Sequence, residues 1–190
     1  MKRTSAAYPG ITFELYSGTS ADLMDNFVRG FYDFLLECEL RSHVDMHTLR
    51  LPHTDTWGLL VRRDNPLAAK AAVMPEDLLD QSRQGVKVGV LGQWLGDLAD
   101  EMDVRATYNL PLNAKFLVRQ GIGSAFTYRG LFEANELSDL AFVPLSPTLE
   151  STQGLVWRKT LPTRQAQAFL DTLKGLCAER DFENPPADAS

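Results

Sequence analysis

Cysteine, histidine and surplus positive charge are all scarce in this sequence, and no part of it is a long apolar run. The two cysteines, Cys38 and Cys177, show no CxxC spacing, which excludes a disulfide scaffold and a cysteine-based zinc site; both read as buried thiols of a reducing compartment. Lys and Arg number 19 against 25 Asp and Glu, so the formal charge is 19 − 25 = −6, and no direct nucleic-acid contact is expected of such a chain. No stretch approaches the roughly 18–20 apolar residues of a membrane span, which excludes a membrane partner. The basic start Met1-Lys2-Arg3 lacks the following apolar run of about 7–15 residues that a secretory signal needs, so a cytoplasmic location is expected. What is present is an ordinary globular balance: 44% of the 190 residues are hydrophobic, enough for one domain or two small lobes with a core of their own.

Along the chain, strand and helix signals alternate. After the Pro9-Gly10 turn, Ile11, Phe13 and Leu15 alternate with Thr12, Glu14 and Tyr16, the period of a strand. Thr19 and Asp22 form a capping box ahead of the stripe Leu23, Met24, Phe27 and Val28, and Gly30 closes that helix. An apolar run over 32–36 predicts a strand, and strand, helix, strand in succession predicts a parallel sheet. Further strands are predicted over 49–51, 57–61, 86–90, 104–108, 122–128, 140–143 and 155–157. Helices are predicted from Pro75, over 94–102, from Pro111 to Gly121, and through Ala166, Phe169, Leu170, Leu173 and Cys177. Past Arg180 the chain turns polar and proline-rich, and 181–190 is expected to be a disordered tail.

Catalytic chemistry finds little support. Cys38, His43, Asp45, His47 and His53 lie close in sequence, and His43 and His47 have the spacing of one helical face. Leu49-Arg50-Leu51-Pro52 is not helical and no Glu stands in the HExxH position, so solvated loop histidines are expected, not a metal centre. Gly121-Ile122-Gly123-Ser124 lacks the Lys-Ser/Thr of a phosphate loop and runs from helix to strand, the reverse of that motif. No carboxylate pair or Ser/His/Asp set stands out, so neither an enzyme nor a cofactor is expected. Hydroxyl and amide groups do gather where helices begin: Ser17-Gly18-Thr19-Ser20, Ser82-Arg83-Gln84, and Tyr108-Asn109 ahead of Pro111. Exposed N–H groups at helix starts beside small hydroxyls suit an anion or carboxylate.

From Tyr8 to about Lys174 the sequence resembles the effector-binding domain of LysR-type transcriptional regulators. Tyr8-Pro9-Gly10-Ile11-Thr12-Phe13-Glu14-Leu15 with Ser17-Gly18-Thr19 is similar to that family's RYP-x-V-x-L-x-L-x-x-G segment. Gly30-Phe31-Tyr32-Asp33-Phe34 resembles its G-x-x-D entry to a strand, and Asp64-Asn65-Pro66-Leu67-Ala68 its D-H-P-L-A turn, with Asn in place of His. Pro75-Glu76-Asp77-Leu78, Val118-Arg119-Gln120-Gly121-Ile122-Gly123 and Val156-Trp157-Arg158-Lys159 complete the series in the family's order and spacing.

The resemblance implies an α/β fold of the two-lobed, type II periplasmic-binding-protein kind, with two crossover strands near 57–63 and 143–151. On that pattern 1–57 with 150–180 form lobe I, with its N-terminal strand and helix truncated, and 58–149 form lobe II. It implies a non-enzymatic sensor of a small-molecule effector, often a carboxylate, acting as a homodimer. DNA is bound in the family by an N-terminal winged helix-turn-helix that this chain does not contain. The effector-binding residues it implies are Ser17, Gly18 and Thr19 of lobe I and Ser82, Arg83 and Asn109 of lobe II. Thr19 would offer its hydroxyl and helix-start N–H, Arg83 would pair with an anionic group, and Asn109 would reach across the hinge. The helix bearing Leu23, Met24 and Phe27 and the helix from Pro111 are the candidate dimer faces. The competing expectations are a free-standing solute-binding protein of the same fold and a fragment that acts only through dimerisation.

Overall fold

A computed structural model of the protein describes residues 1–78, 83–84, 90–101, 104–132 and 139–183. In chain order its elements are α1 (Lys2–Ala7), α2 (Ser20–Val28), β1 (Leu35–Glu37), β2 (Met46–Arg62), 3₁₀ turns at Pro66–Ala69 and Pro75–Leu78, β3 (Arg83–Gln84), α3 (Val90–Leu95), a 3₁₀ turn at Gly96–Ala99, β4 (Val104–Ala106), α4 (Pro111–Arg119), β5 (Ser124–Tyr128), a 3₁₀ turn at Arg129–Leu131, β6 (Leu140–Pro144), β7 (Glu150–Arg158) and α5 (Arg164–Glu183). Two compact units result: Met1–Thr54 with the chain from Thr152 onward, and Asp55–Ser151. The chain passes from one to the other inside β2 and inside β7.

In the first unit, α2 is started by the Thr19 side chain, which accepts the Asp22 N–H, and it is stopped near Gly30, whose φ of +89° suits glycine. Its apolar face buries Phe27 completely, against Leu35 of β1 and Val156 of β7. Arg158 closes the far end of α2: its guanidinium donates to the carbonyls of Phe27 (2.6 Å) and Tyr32 (2.7 Å) and lies over the Phe27 ring. β1 runs antiparallel to β7, with Leu35 opposite Val156. Phe13 and Phe34 both set their rings edge-on to Phe169 of α5.

The second unit is organised by the five successive buried residues Trp57, Gly58, Leu59, Leu60 and Val61 of β2. A strand apolar on both faces must be covered on both. It pairs antiparallel with β5 on one side (Gly58 opposite Thr127, Leu60 opposite Ala125) and with β6 on the other (Leu60 opposite Phe142). β5 continues in parallel with β3, and β3 with β4. One face of this sheet packs Trp57, Leu59, Val61, Phe126 and Val143 against Leu67, Leu78, Leu91 and Leu95. The other packs Leu60, Ala125 and Leu140 against Ala114 and Val118 of α4. A Cβ at Gly58 would stand 2.2 Å from the Phe142 ring, so the ring fills the space that glycine leaves.

Several expectations need correction. Residues 11–15 alternate as a strand does but join no ladder among the described residues; Phe13 anchors on Phe169 while Leu15 is 78% exposed. Among the described residues no parallel sheet forms around them; the parallel ladders join β3, β4 and β5, and one isolated parallel bridge joins Val73 to Leu145. Strands read separately at 49–51 and 57–61 are one strand, β2, and 2–7 form a helix that the sequence reading did not anticipate. The helix read over 94–102 breaks at Gly96 (φ +55°) into a 3₁₀ turn, and of the strand read over 86–90, 86–89 lie outside the described residues while Val90 opens α3. Cys38 is exposed, unlike Cys177, because the chain leaves β1 just before it. Helix α5 runs to Glu183 where a tail was expected from 181, and 184–190 lie outside the described residues. The unit boundaries fall after Thr54 and Ser151, against 57 and 149 in the sequence reading.

Ser151 Oγ accepts from Trp57 Nε1 (2.8 Å) and from the Tyr128 hydroxyl (3.3 Å), and the two rings lie 4.1 Å apart. All three residues are buried, so removing the shared acceptor takes away two hydrogen bonds from the interior. Ser151→Ala is expected to lower stability by about 1–3 kcal/mol, read as a lower urea midpoint with an unchanged slope.

Candidate functional site

The turn before α2 brings Ser17, Gly18 and Thr19 together in the first unit, Ser17 exposed and the other two half-buried. The Thr19 hydroxyl is committed locally: it accepts from the Asp22 N–H (3.1 Å) and donates to Asp22 Oδ2 (2.7 Å). What the turn still offers is the Ser17 hydroxyl and the N–H groups of the first helical residues, which have no acceptor within the helix. Asp22 places a negative charge at the same spot, satisfying the positive end of the helix and opposing a second anion there. Beside the turn, Tyr16 stacks on Tyr32 and donates to Glu14 (3.0 Å), and that carboxylate holds the Tyr16 phenol above its ordinary pKa.

In the second unit the backbone of Arg83 lies in β3, opposite Val104 of β4 and Ser124 of β5. Ser82 lies outside the described residues. Asn109 is exposed between β4 and α4, next to Leu110, which opens α4 without a side-chain cap, and Pro111 occupies the first helical position. Of the six residues read from the sequence, three therefore stand in one unit and two in the other.

The sequence reading named Tyr108 beside Asn109 but gave it no part in the site, although it holds this region. The Tyr108 hydroxyl donates a short hydrogen bond to the Phe126 carbonyl, tying the loop between β4 and α4 to β5, and burial pushes its phenol far above the ordinary value. It missed Thr127, whose hydroxyl is buried with no hydrogen-bond partner among the described residues, and Arg129, an exposed cation stacked on Phe142 at 5.3 Å. Only the strand predicted over 122–128 covered Thr127, and nothing in the sequence separated Arg129 from other surface arginines.

The histidines do other work. His43 Nε2 sits 3.1 and 3.0 Å from the two Glu37 carboxylate oxygens, and the His47 ring lies against Trp157. Among the described residues no group of three His, Cys, Asp or Glu could hold a metal ion. A cavity of about 90 Å³ lined by Phe34, Trp157, Arg158 and Pro162 contains none of the predicted site residues. Nor does an open depression lined by Arg62, Arg63, Asp64, Arg119 and Asp139, where Arg62 grips Asp64 and Arg119 grips Asp139. Arg62 holds the Asp64 carboxyl below its usual range.

Of the two candidate dimer faces, α2 proves to be core at Phe27, while Leu23 and Met24 pack half-buried beside it. Helix α4 exposes Leu112 (50%) and Phe116 (58%) one turn apart.

A family model for the LysR substrate binding domain matches residues 1–178. No curated protein matches the chain. Among solved structures the chain is similar to the CcmR regulatory domain of Synechocystis PCC6803 in complex with 2-PG (TM-score 0.76, 18% identity, 98% of this chain and 90% of that one). It is also similar to the effector binding domain of QuiR in complex with shikimate (0.79, 14%, 94% and 88%) and to the BenM effector binding domain with its effector benzoate (0.69, 18%, 97% and 87%). Identities this low speak to the fold, which is periplasmic-binding-protein-like.

Because Tyr108 keeps its proton in the folded state beyond the pH at which an unfolded tyrosine loses it, near 10.0, its contribution is complete below that pH and is lost as pH rises above it. Tyr108→Phe is expected to be less stable at pH 8 by about 1 kcal/mol, having lost the bond to Phe126. It should also lose less stability than the wild type between about pH 9 and 11, as urea midpoints across that range would show.

Proposed function

The chain belongs to the LysR substrate-binding-domain family, and from that membership we propose that it is the effector-sensing part of a transcription regulator, non-enzymatic, cytoplasmic and homodimeric, whose ligand is a small carboxylate-type metabolite. The extent of the family match, residues 1–178 of 190, carries this reading. The ligands of its structural neighbours support the ligand class: benzoate and shikimate are small carboxylates. The chain's own chemistry supports it as well, since hydroxyl, amide and helix-start N–H groups gather at the starts of α2 and α4. The residues proposed to touch the effector are Ser17, Gly18 and Thr19 at the start of α2, with Ser82, Arg83 and Asn109 of the second unit. DNA contact is assigned to another part of the parent regulator, as the net charge of −6 suits a chain that does not grip phosphates.

Thr19 acts here through its hold on Asp22, which fixes the direction of the turn's N–H groups. Titration calorimetry with a panel of small carboxylates is expected to find a ligand, and Thr19→Val to weaken it by roughly tenfold as the cap is lost. Binding unchanged by Thr19→Val would remove this turn from the site. Light scattering is expected to give a mass near twice 21.2 kDa, returning to the single mass when Phe116 of α4 becomes Glu. A monomeric wild type would end the dimer assignment.

A further inference from the structure

We propose that the second unit contains an oxyanion subsite, formed by the Thr127 hydroxyl, the Arg129 guanidinium and the open first turn of α4, which takes the carboxylate of the effector. The inference rests on the effector-binding reading above and goes beyond it by naming where the negative charge is held.

Thr127 is 1% exposed and its hydroxyl has no partner among the described residues, a costly state for a hydroxyl away from water. Side chains alternate along β5, so Thr127 shares the face of Ala125, which packs on Ala114 and Val118 of α4. Thr127 lies two residues further toward the C-terminal end of the strand. β4 runs parallel to β5 through β3, and only four residues separate the end of β4 from the start of α4, so the first turn of α4 stands at that same end. The Tyr108 hydroxyl fixes this approach by bonding the Phe126 carbonyl, the peptide that leads into Thr127.

Helix α4 has nine residues and no side-chain cap; Asn113 donates to Leu110, and the Leu112 N–H has no acceptor within the helix. Asn109 stands exposed at its threshold. Arg129 closes the set. Its guanidinium lies over the Phe142 ring, that ring covers Gly58, and Gly58 is the register partner of Thr127. Arg129 is exposed and makes no ion pair among the described residues. A cation, a hydroxyl and helix-start N–H groups are all donors, and what satisfies donors without supplying a proton is an oxyanion. The start of α2 is the poorer place for it, because Asp22 already puts a negative charge there.

The test uses the full chain in a buffer without oxyanions, titrated with acetate, benzoate and shikimate, with benzamide as the uncharged counterpart and inorganic phosphate as a separate arm. Arg129→Met keeps the aliphatic stem over Phe142 and removes the charge, while Thr127→Val keeps the shape and removes the hydroxyl. Each is expected to weaken carboxylate binding by roughly tenfold to a hundredfold and to leave any benzamide binding unchanged. If both variants bind carboxylates as the wild type does while Thr19→Val does not, the subsite is wrong and the effector-binding reading stands. Loss in Arg83→Met with none in Arg129→Met likewise overturns it. A preference for phosphate over every carboxylate overturns the carboxylate assignment, and a wild type that binds none of the panel defeats the subsite together with the reading beneath it.

Discussion

Much of the second unit depends on β2 being buried on both faces between Trp57 and Val61. A strand in that position cannot slip, since a shift of one residue would exchange Leu59 and Leu60 between two different cores. Its register with β5 and β6 is thereby pinned, and that register decides which residues meet: Thr127 beside Gly58, Phe142 beside Leu60, Trp57 beside Tyr128. The hydrogen bonds from Trp57 and Tyr128 to Ser151 then fasten β7 to the same framework. Local polar chemistry is laid on a scaffold that has one way to pair.

Charge is distributed differently at the two helix starts. In the first unit Asp22 completes a capping box with Thr19, so the positive end of α2 is neutralised by the chain itself. In the second, α4 opens on Leu110 and Pro111, neither of which supplies a side-chain acceptor, and Asn109 stands exposed just before them. One start is self-sufficient and the other is left wanting an acceptor.

How far the sequence disclosed this varies with the kind of signal. Capping chemistry was legible: Thr19 with Asp22, Gly30 after α2, Pro111 at the head of α4 and Gly121 after it all do what their residue types dictate. The helical spacing of Ala166, Leu170 and Cys177 was legible too, because their buried positions repeat along one face of α5. Alternation misled at 11–15, where the side chains have the right period but no backbone among the described residues supplies the ladder; strand formation needs a partner and period alone cannot provide one. The candidate site was half legible. Turn residues announce themselves by type, whereas Tyr108, Thr127 and Arg129 acquire meaning only from contacts across the sheet, between residues such as Phe126 and Tyr108 that lie 18 apart in the chain.

The bare Cα of Gly58 has a consequence for how such a domain could diversify. Interior volume at 58 and 142 is shared: a methyl group on one requires a smaller side chain on the other. Shrinking residue 142 would also withdraw the aromatic shelf from beneath Arg129 and set that guanidinium loose in solvent. A lineage that traded bulk between these two positions would therefore retune a surface cation through a change made in the hydrophobic interior, with no substitution at the arginine itself.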